Sequence, residues 1–162
     1  MFWSTLTFLS TEAAINATFI RFNESIAAIA DIADMVPSLT LEPFPPALYA
    51  RHHESNALGF DNRAGPNRAL VVAILDISYT READDQAVKE YGRSLTDVIK
   101  QDLKKLNALD PFLYLNYAAP YQDPLSSYGE RNLRRLRQIA TKFDSQGTFQ
   151  YQVPGGFKLF PR

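Results

Sequence analysis

Two phenols and an amide fall within four consecutive residues, Tyr114, Asn116 and Tyr117. A phenol can act as a general acid or base when its neighbours move its pKa from about 10 toward neutrality. An amide can orient a substrate through a donor and an acceptor at once. The same residue types also pack structurally at sheet edges, where a buried hydroxyl or amide needs a hydrogen-bond partner. The aromatic and apolar content of residues 112–117 predicts a strand, which puts Tyr114 and Asn116 on one face and Tyr117 on the other. Other reactive residues are sparse. The chain has no cysteine, so disulfides, thiolate zinc sites, thiol nucleophiles and cysteinyl-flavin links are excluded. His52 and His53 are adjacent, and adjacent side chains on an extended segment point apart, so no metal site is expected. Pro154-Gly155-Gly156 precedes no helix and does not read as a phosphate cradle. Arg131, Arg134, Arg135 and Arg137 read as the solvated face of a helix.

These residues must be positioned by the surrounding elements. Residues 2–9 (FWSTLTFL) predict a strand. Ser10 or Thr11 can cap a helix that reaches about residue 34, with Ile15, Phe19, Phe22, Ile26 and Ile29 as its buried stripe. Residues 38–44 alternate and predict a second strand, ended by Pro45-Pro46. A loop follows over 47–66, with residues 56–60 as a short strand within it. Residues 69–79 form a near-continuous apolar run, which predicts a strand buried on both faces. A long helix begins at Thr80 or Asp84 and stops at Asn107; a third helix covers 130–143. The order β-α-β-β-α-β-α predicts an α+β fold, with a mostly antiparallel sheet and helices on one face, related to the split βαβ pattern. Residues 1–111 form the α+β part and 112–162 an appended C-terminal segment, together one compact unit.

The 162 residues suffice for one domain with a real core. A net charge of −1 leaves no electrostatic footprint for nucleic acid or an anionic membrane. No apolar run is long enough to span a bilayer. Residues 1–10 are apolar but lack a basic n-region and a cleavage site, so no signal peptide is expected.

Several segments resemble, in order, the berberine-bridge-enzyme-like, FAD-linked oxidoreductases, especially their fungal members. Tyr114-Leu115-Asn116-Tyr117 is similar to the family's Tyr-x-Asn-Tyr motif. Tyr128-Gly129, Asn132, Leu136, Lys142-Phe143-Asp144, Gly147, Phe149 and Val153-Pro154-Gly155-Gly156-Phe157 continue in family order. Upstream, residues 39–49 and 56–59 look like substrate-domain strands. Ala119 departs from the pattern, standing where the family carries a carboxylate.

The resemblance implies hydride transfer from a small organic metabolite to FAD, often in secondary metabolism. It places Asn116 near the isoalloxazine and makes Tyr117 and Tyr114 the candidate catalytic residues. Asn56 and Tyr49 would border the substrate. The resemblance covers the substrate-side domain and the C-terminal motif, without the domain that holds most of FAD. The expectation is therefore a truncated or split oxidoreductase, served by a flavin-domain partner or by self-association. In that case residues 112–159 should expose apolar surface. The alternatives are a flavin-free cyclase or ligand-binding protein that reuses the pocket, and an inactive remnant.

Overall fold

The computed structural model describes residues 1–49, 56–60 and 68–160. Four strands form one sheet: β1 (Phe2–Leu9), β2 (Val36–Phe44), β3 (Leu70–Ser78) and β4 (Leu109–Asp110). Their order is β2-β3-β1-β4, and every pairing is antiparallel. β3 thus lies between β1 and β2, which is the split βαβ arrangement. The expected α+β fold is the observed one.

The helices begin and end for local reasons. α1 (Glu12–Ser25) is capped by Thr11, whose hydroxyl accepts from the Ala14 N–H at 3.2 Å. It stops well before residue 34; a single 3₁₀ turn (Ile26–Ile29) follows and still buries Ile29. α2 (Pro46–Tyr49) is one turn. α3 (Asp85–Lys105) runs along the sheet and ends where Asn107 adopts φ 52°, a left-handed conformation that asparagine tolerates. α4 (Pro124–Ser127) is capped by Asp123, and α5 (Glu130–Phe143) has the boundaries the sequence predicts.

Period-two alternation divides the sheet into two faces. Phe2, Ser4, Leu6 and Phe8 of β1 and Val71, Ala73, Leu75 and Ile77 of β3 share the face that α1 and α3 cover. Val88, Leu95, Ile99 and Leu103 of α3 close this core. Phe8, Ile77, Val88 and Leu103 are wholly inaccessible, each worth about 1.5–3 kcal/mol of apolar burial. Gly92 permits the close approach of α3 to β1, because a Cβ there would meet two Phe2 ring carbons at 2.6 and 2.7 Å. The adjacent polar atoms are paired: the Ser4 and Thr96 hydroxyls lie 2.7 Å apart, and Thr96 also donates to the Gly92 carbonyl at 2.7 Å.

A second, aromatic core lies at one end of the sheet. Phe44, Tyr49, Phe60, Phe112 and Tyr128 form a chain of ring contacts with centroid separations of 4.5–5.8 Å. Residues 56–60, expected as a short strand, are a turn. Gly59 adopts φ 79° there and lies against the Tyr128 carbonyl, where no side chain fits.

Residues 112–117 are not a strand either. The ladder on this edge of β1 ends after Thr7↔Asp110 and Phe8↔Leu109. At Thr5 a side chain takes over the role of a strand. Gln122 accepts from the Thr5 N–H at 3.1 Å and donates to the Thr5 carbonyl at 2.8 Å. It also accepts from the Ala119 N–H at 2.9 Å. The chain between turns outward, and Leu115–Tyr117 form a 3₁₀ turn.

Candidate functional site

The 3₁₀ turn changes the geometry expected of the two tyrosines. In a 3₁₀ turn residues three apart eclipse, so Tyr114 and Tyr117 point the same way rather than to opposite faces. Their rings meet edge to face at 4.9 Å. Asn116 is exposed, and its amide donates to the Tyr114 hydroxyl at 2.9 Å. Both tyrosines are half-buried.

The turn projects onto the sheet face opposite α1 and α3, the far end of which is covered by the aromatic core with Tyr49 of α2, Leu125 of α4 and Leu136 of α5. Trp3, Thr5 and Thr7 of β1, Val72, Ile74 and Asp76 of β3, and Ser38, Thr40 and Glu42 of β2 share that face by register. The Trp3 ring contacts Tyr117 edge to face at 5.9 Å and is 39% exposed. The nearby Glu42 carboxylate pushes the Tyr117 phenol above its ordinary pKa, with burial and Tyr114 adding to the effect. This is the opposite of what a phenolate base requires. At neutral pH Tyr117 is a hydrogen-bond donor.

The face also holds unmet hydrogen-bonding capacity. Thr7 Oγ1 and Asp76 Oδ1 are buried and lack a partner among the described residues. Such atoms are uncommon in folded proteins, because each one costs desolvation free energy.

The remaining predicted residues serve other contacts. Tyr49 is 6% exposed inside the aromatic core, and its hydroxyl donates to the Arg68 carbonyl. Asn56 accepts from the Leu58 N–H at 3.0 Å through its side chain and from Arg135 at 3.2 Å through its carbonyl, fixing the 56–60 turn to α5. His52, His53, Asp61 and Arg63 lie outside the described residues. Among the described residues, no cluster of three or more His, Cys, Asp or Glu could hold a metal. Sequence reasoning did not single out Glu42, Trp3 or Gln122. The polar side of β2 was visible as alternation, but its placement beside Tyr117 depends on the strand order.

The described residues do not by themselves fit FAD. Aromatic and amide groups of the Tyr114–Tyr117 turn suit the ring end of a flavin, whereas the glycine turn at Gly155-Gly156 leads into no helix. The α5 N-terminus carries Glu130 in its first turn, an acid where a phosphate would compete.

Comparison with known proteins gives fungal relatives. The chain is 40% identical over 156 residues to a protein of Diaporthe leptostromiformis designated oligopeptidase PhomG′, covering 95% of this chain and 13% of the relative. It is 33% identical over 141 residues to the FAD-dependent monooxygenase drtC of Aspergillus calidoustus, covering 86% of this chain and 26% of the relative. It is 47% identical over 106 residues to the bifunctional solanapyrone synthase of Alternaria solani, covering 65% of this chain and 21% of the relative. Other fungal relatives carry the same FAD-dependent monooxygenase designation. The chain spans only 13–32% of the length of these relatives. No family model and no solved structure matches it. No helix among the described residues is long and apolar enough to cross a membrane.

Proposed function

We propose that this chain is the substrate-side portion of a berberine-bridge-like, FAD-dependent oxidoreductase that acts on a small organic metabolite in secondary metabolism. The observation that carries this reading is the cluster of Tyr114 and Tyr117 with the partly exposed Trp3 beside the Glu42 carboxylate. Relatives designated FAD-dependent monooxygenases support it.

The flavin supplies redox chemistry when it is held against this cluster by a flavin-binding domain. This chain's residues then have separate tasks. Trp3 and Tyr114 provide flat apolar surface for a substrate ring. Asn116 orients the exposed edge of the site, Tyr117 donates a hydrogen bond to a substrate oxygen, and Glu42 accepts the proton that leaves the substrate. Proton transfer to a positioned carboxylate contributes about 10²–10⁴ in rate.

Exposed apolar residues at the far end of α5 and beyond support a docked flavin domain. Phe143 is 76% exposed, Phe149 66% and Val153 42%. The test is co-expression with the flavin-binding portion of drtC. A yellow one-to-one complex is expected, with turnover on a drtC substrate lowered about 100-fold or more by Glu42→Gln and about tenfold by Tyr117→Phe. Colourless, separate polypeptides would refute the reading.

A further inference from the structure

A concavity lies on the α3 side of the sheet, where β4 ends. α3 and residues 109–123 enclose a groove of about 550 Å³, a volume typical of sites for small molecules. Its lining is apolar at Leu6, Leu109, Leu113 and Tyr121. Along α3, Arg93, Asp97, Lys100 and Lys104 follow one another at spacings of four, three and four, and all four line the groove on one stripe of the helix.

The charges in the groove are not equally available. Asp110 Oδ1 accepts from the Phe112 N–H at 2.9 Å, and Asp123 Oδ1 accepts from the Ser126 N–H at 3.0 Å, so both carboxylates are committed to the backbone. Asp97 lies one turn from Arg93 on one side and from Lys100 on the other, and forms an ion pair with neither among the described residues. The Arg93 guanidinium lies over the Tyr121 ring at 5.0 Å. Lys100 and Lys104 have no hydrogen bond or ion pair among the described residues, and both are exposed. The unspent capacity is therefore two ammonium groups against the one carboxylate of Asp97, a positive balance above an apolar floor.

We propose that this groove binds a small organic anion. The ligand's aromatic or aliphatic body lies on Leu109 and Leu113, and its acid group meets Lys100 and Lys104. The site shares no side chain with the Glu42–Tyr117 pair, so it stands apart from the flavin reading.

The test is fluorescence titration of the purified chain with 8-anilinonaphthalene-1-sulfonate, an apolar aromatic body carrying one sulfonate. One saturable site per chain is expected. Lys100→Glu with Lys104→Glu should weaken binding by about tenfold or more, since two attractions become repulsions. Both lysines are exposed, so circular dichroism should show the fold unchanged. Titration with neutral N-phenyl-1-naphthylamine should be insensitive to the same double variant. Equal affinity of wild type and variant for the sulfonate would overturn the proposal. So would loss of the signal in Phe143→Ser with Phe149→Ser, which would place the probe on the apolar tail.

Discussion

Gln122→Ala should uncouple the tyrosine turn from the sheet. The wild-type amide makes three hydrogen bonds, to the Thr5 N–H at 3.1 Å, the Thr5 carbonyl at 2.8 Å and the Ala119 N–H at 2.9 Å. All three are partly buried, and each contributes about 1 kcal/mol net, so the loss should be about 3 kcal/mol. That is a large share of the roughly 5–15 kcal/mol that holds a domain folded. Urea denaturation measures it as a lower midpoint with an unchanged slope. The chain has a single tryptophan, Trp3, in edge contact with Tyr117, so its fluorescence reports the turn directly. Acrylamide should quench Trp3 more strongly in the variant, at denaturant concentrations where the core is still intact. Gln122→Glu separates the parts, because it keeps the acceptor for both N–H groups and sets a carboxylate against the Thr5 carbonyl. It should fall between wild type and alanine at low pH and approach alanine at neutral pH. A Gln122→Ala protein within about 0.5 kcal/mol of wild type, with Trp3 quenching unchanged, would refute the clamp.

Gly92→Ala should destabilise by about 1–2 kcal/mol in urea, because overpacking against the buried Phe2 ring outweighs about 1 kcal/mol gained in helix propensity. Adding Phe2→Leu should recover most of that loss, whereas a more stable single variant would contradict the packing. Leu103→Ala, at a wholly buried position, should cost about 2–5 kcal/mol by the same measurement. Lys105 and then Arg21 hold the Asp102 carboxyl below its ordinary pKa. Its contribution is therefore present above the unfolded value near 4 and is lost as pH falls through the folded value. Asp102→Asn should lower the thermal midpoint at neutral pH and converge with wild type in acid; a gap that persists in acid would exclude the ion pairs as its cause.

Much of the fold was legible because the helix and strand periods are unambiguous where they matter. The polar arginine side of α5 and the apolar stripe of α3 fix both helices, and the alternation over residues 38–44 fixes β2. The extent of α1 was misread because Ile26 and Ile29 keep helical spacing through a 3₁₀ turn. Residues 112–117 have strand composition, yet Gln122 occupies the edge of β1 where their backbone would have paired. No local pattern reveals a side chain standing in for a strand. The site was legible as the Tyr114–Tyr117 motif, while Glu42 entered it only through the order of strands. The arginine cluster is only partly a solvated face, since Arg137 donates to the Leu159 carbonyl at 2.9 Å and Arg135 to that of Asn56. These two residues fasten the tail and the 56–60 turn to α5.

The interior position of β1 has a kinetic cost. Its eight-residue ladder is made with β3, and Leu9 must wait for Leu70. About 60 residues separate them, which is roughly 3–12 s of ribosomal synthesis at about 5–20 residues per second. During that interval FWSTLTFL has no strand beside it, and its backbone donors and apolar side chains are open to any other extended chain. Non-local pairing of this kind also slows folding once the chain is complete. The yield of folded protein should therefore depend on how the nascent chain is shielded, and slowing translation between residues 10 and 70 should favour aggregation over folding.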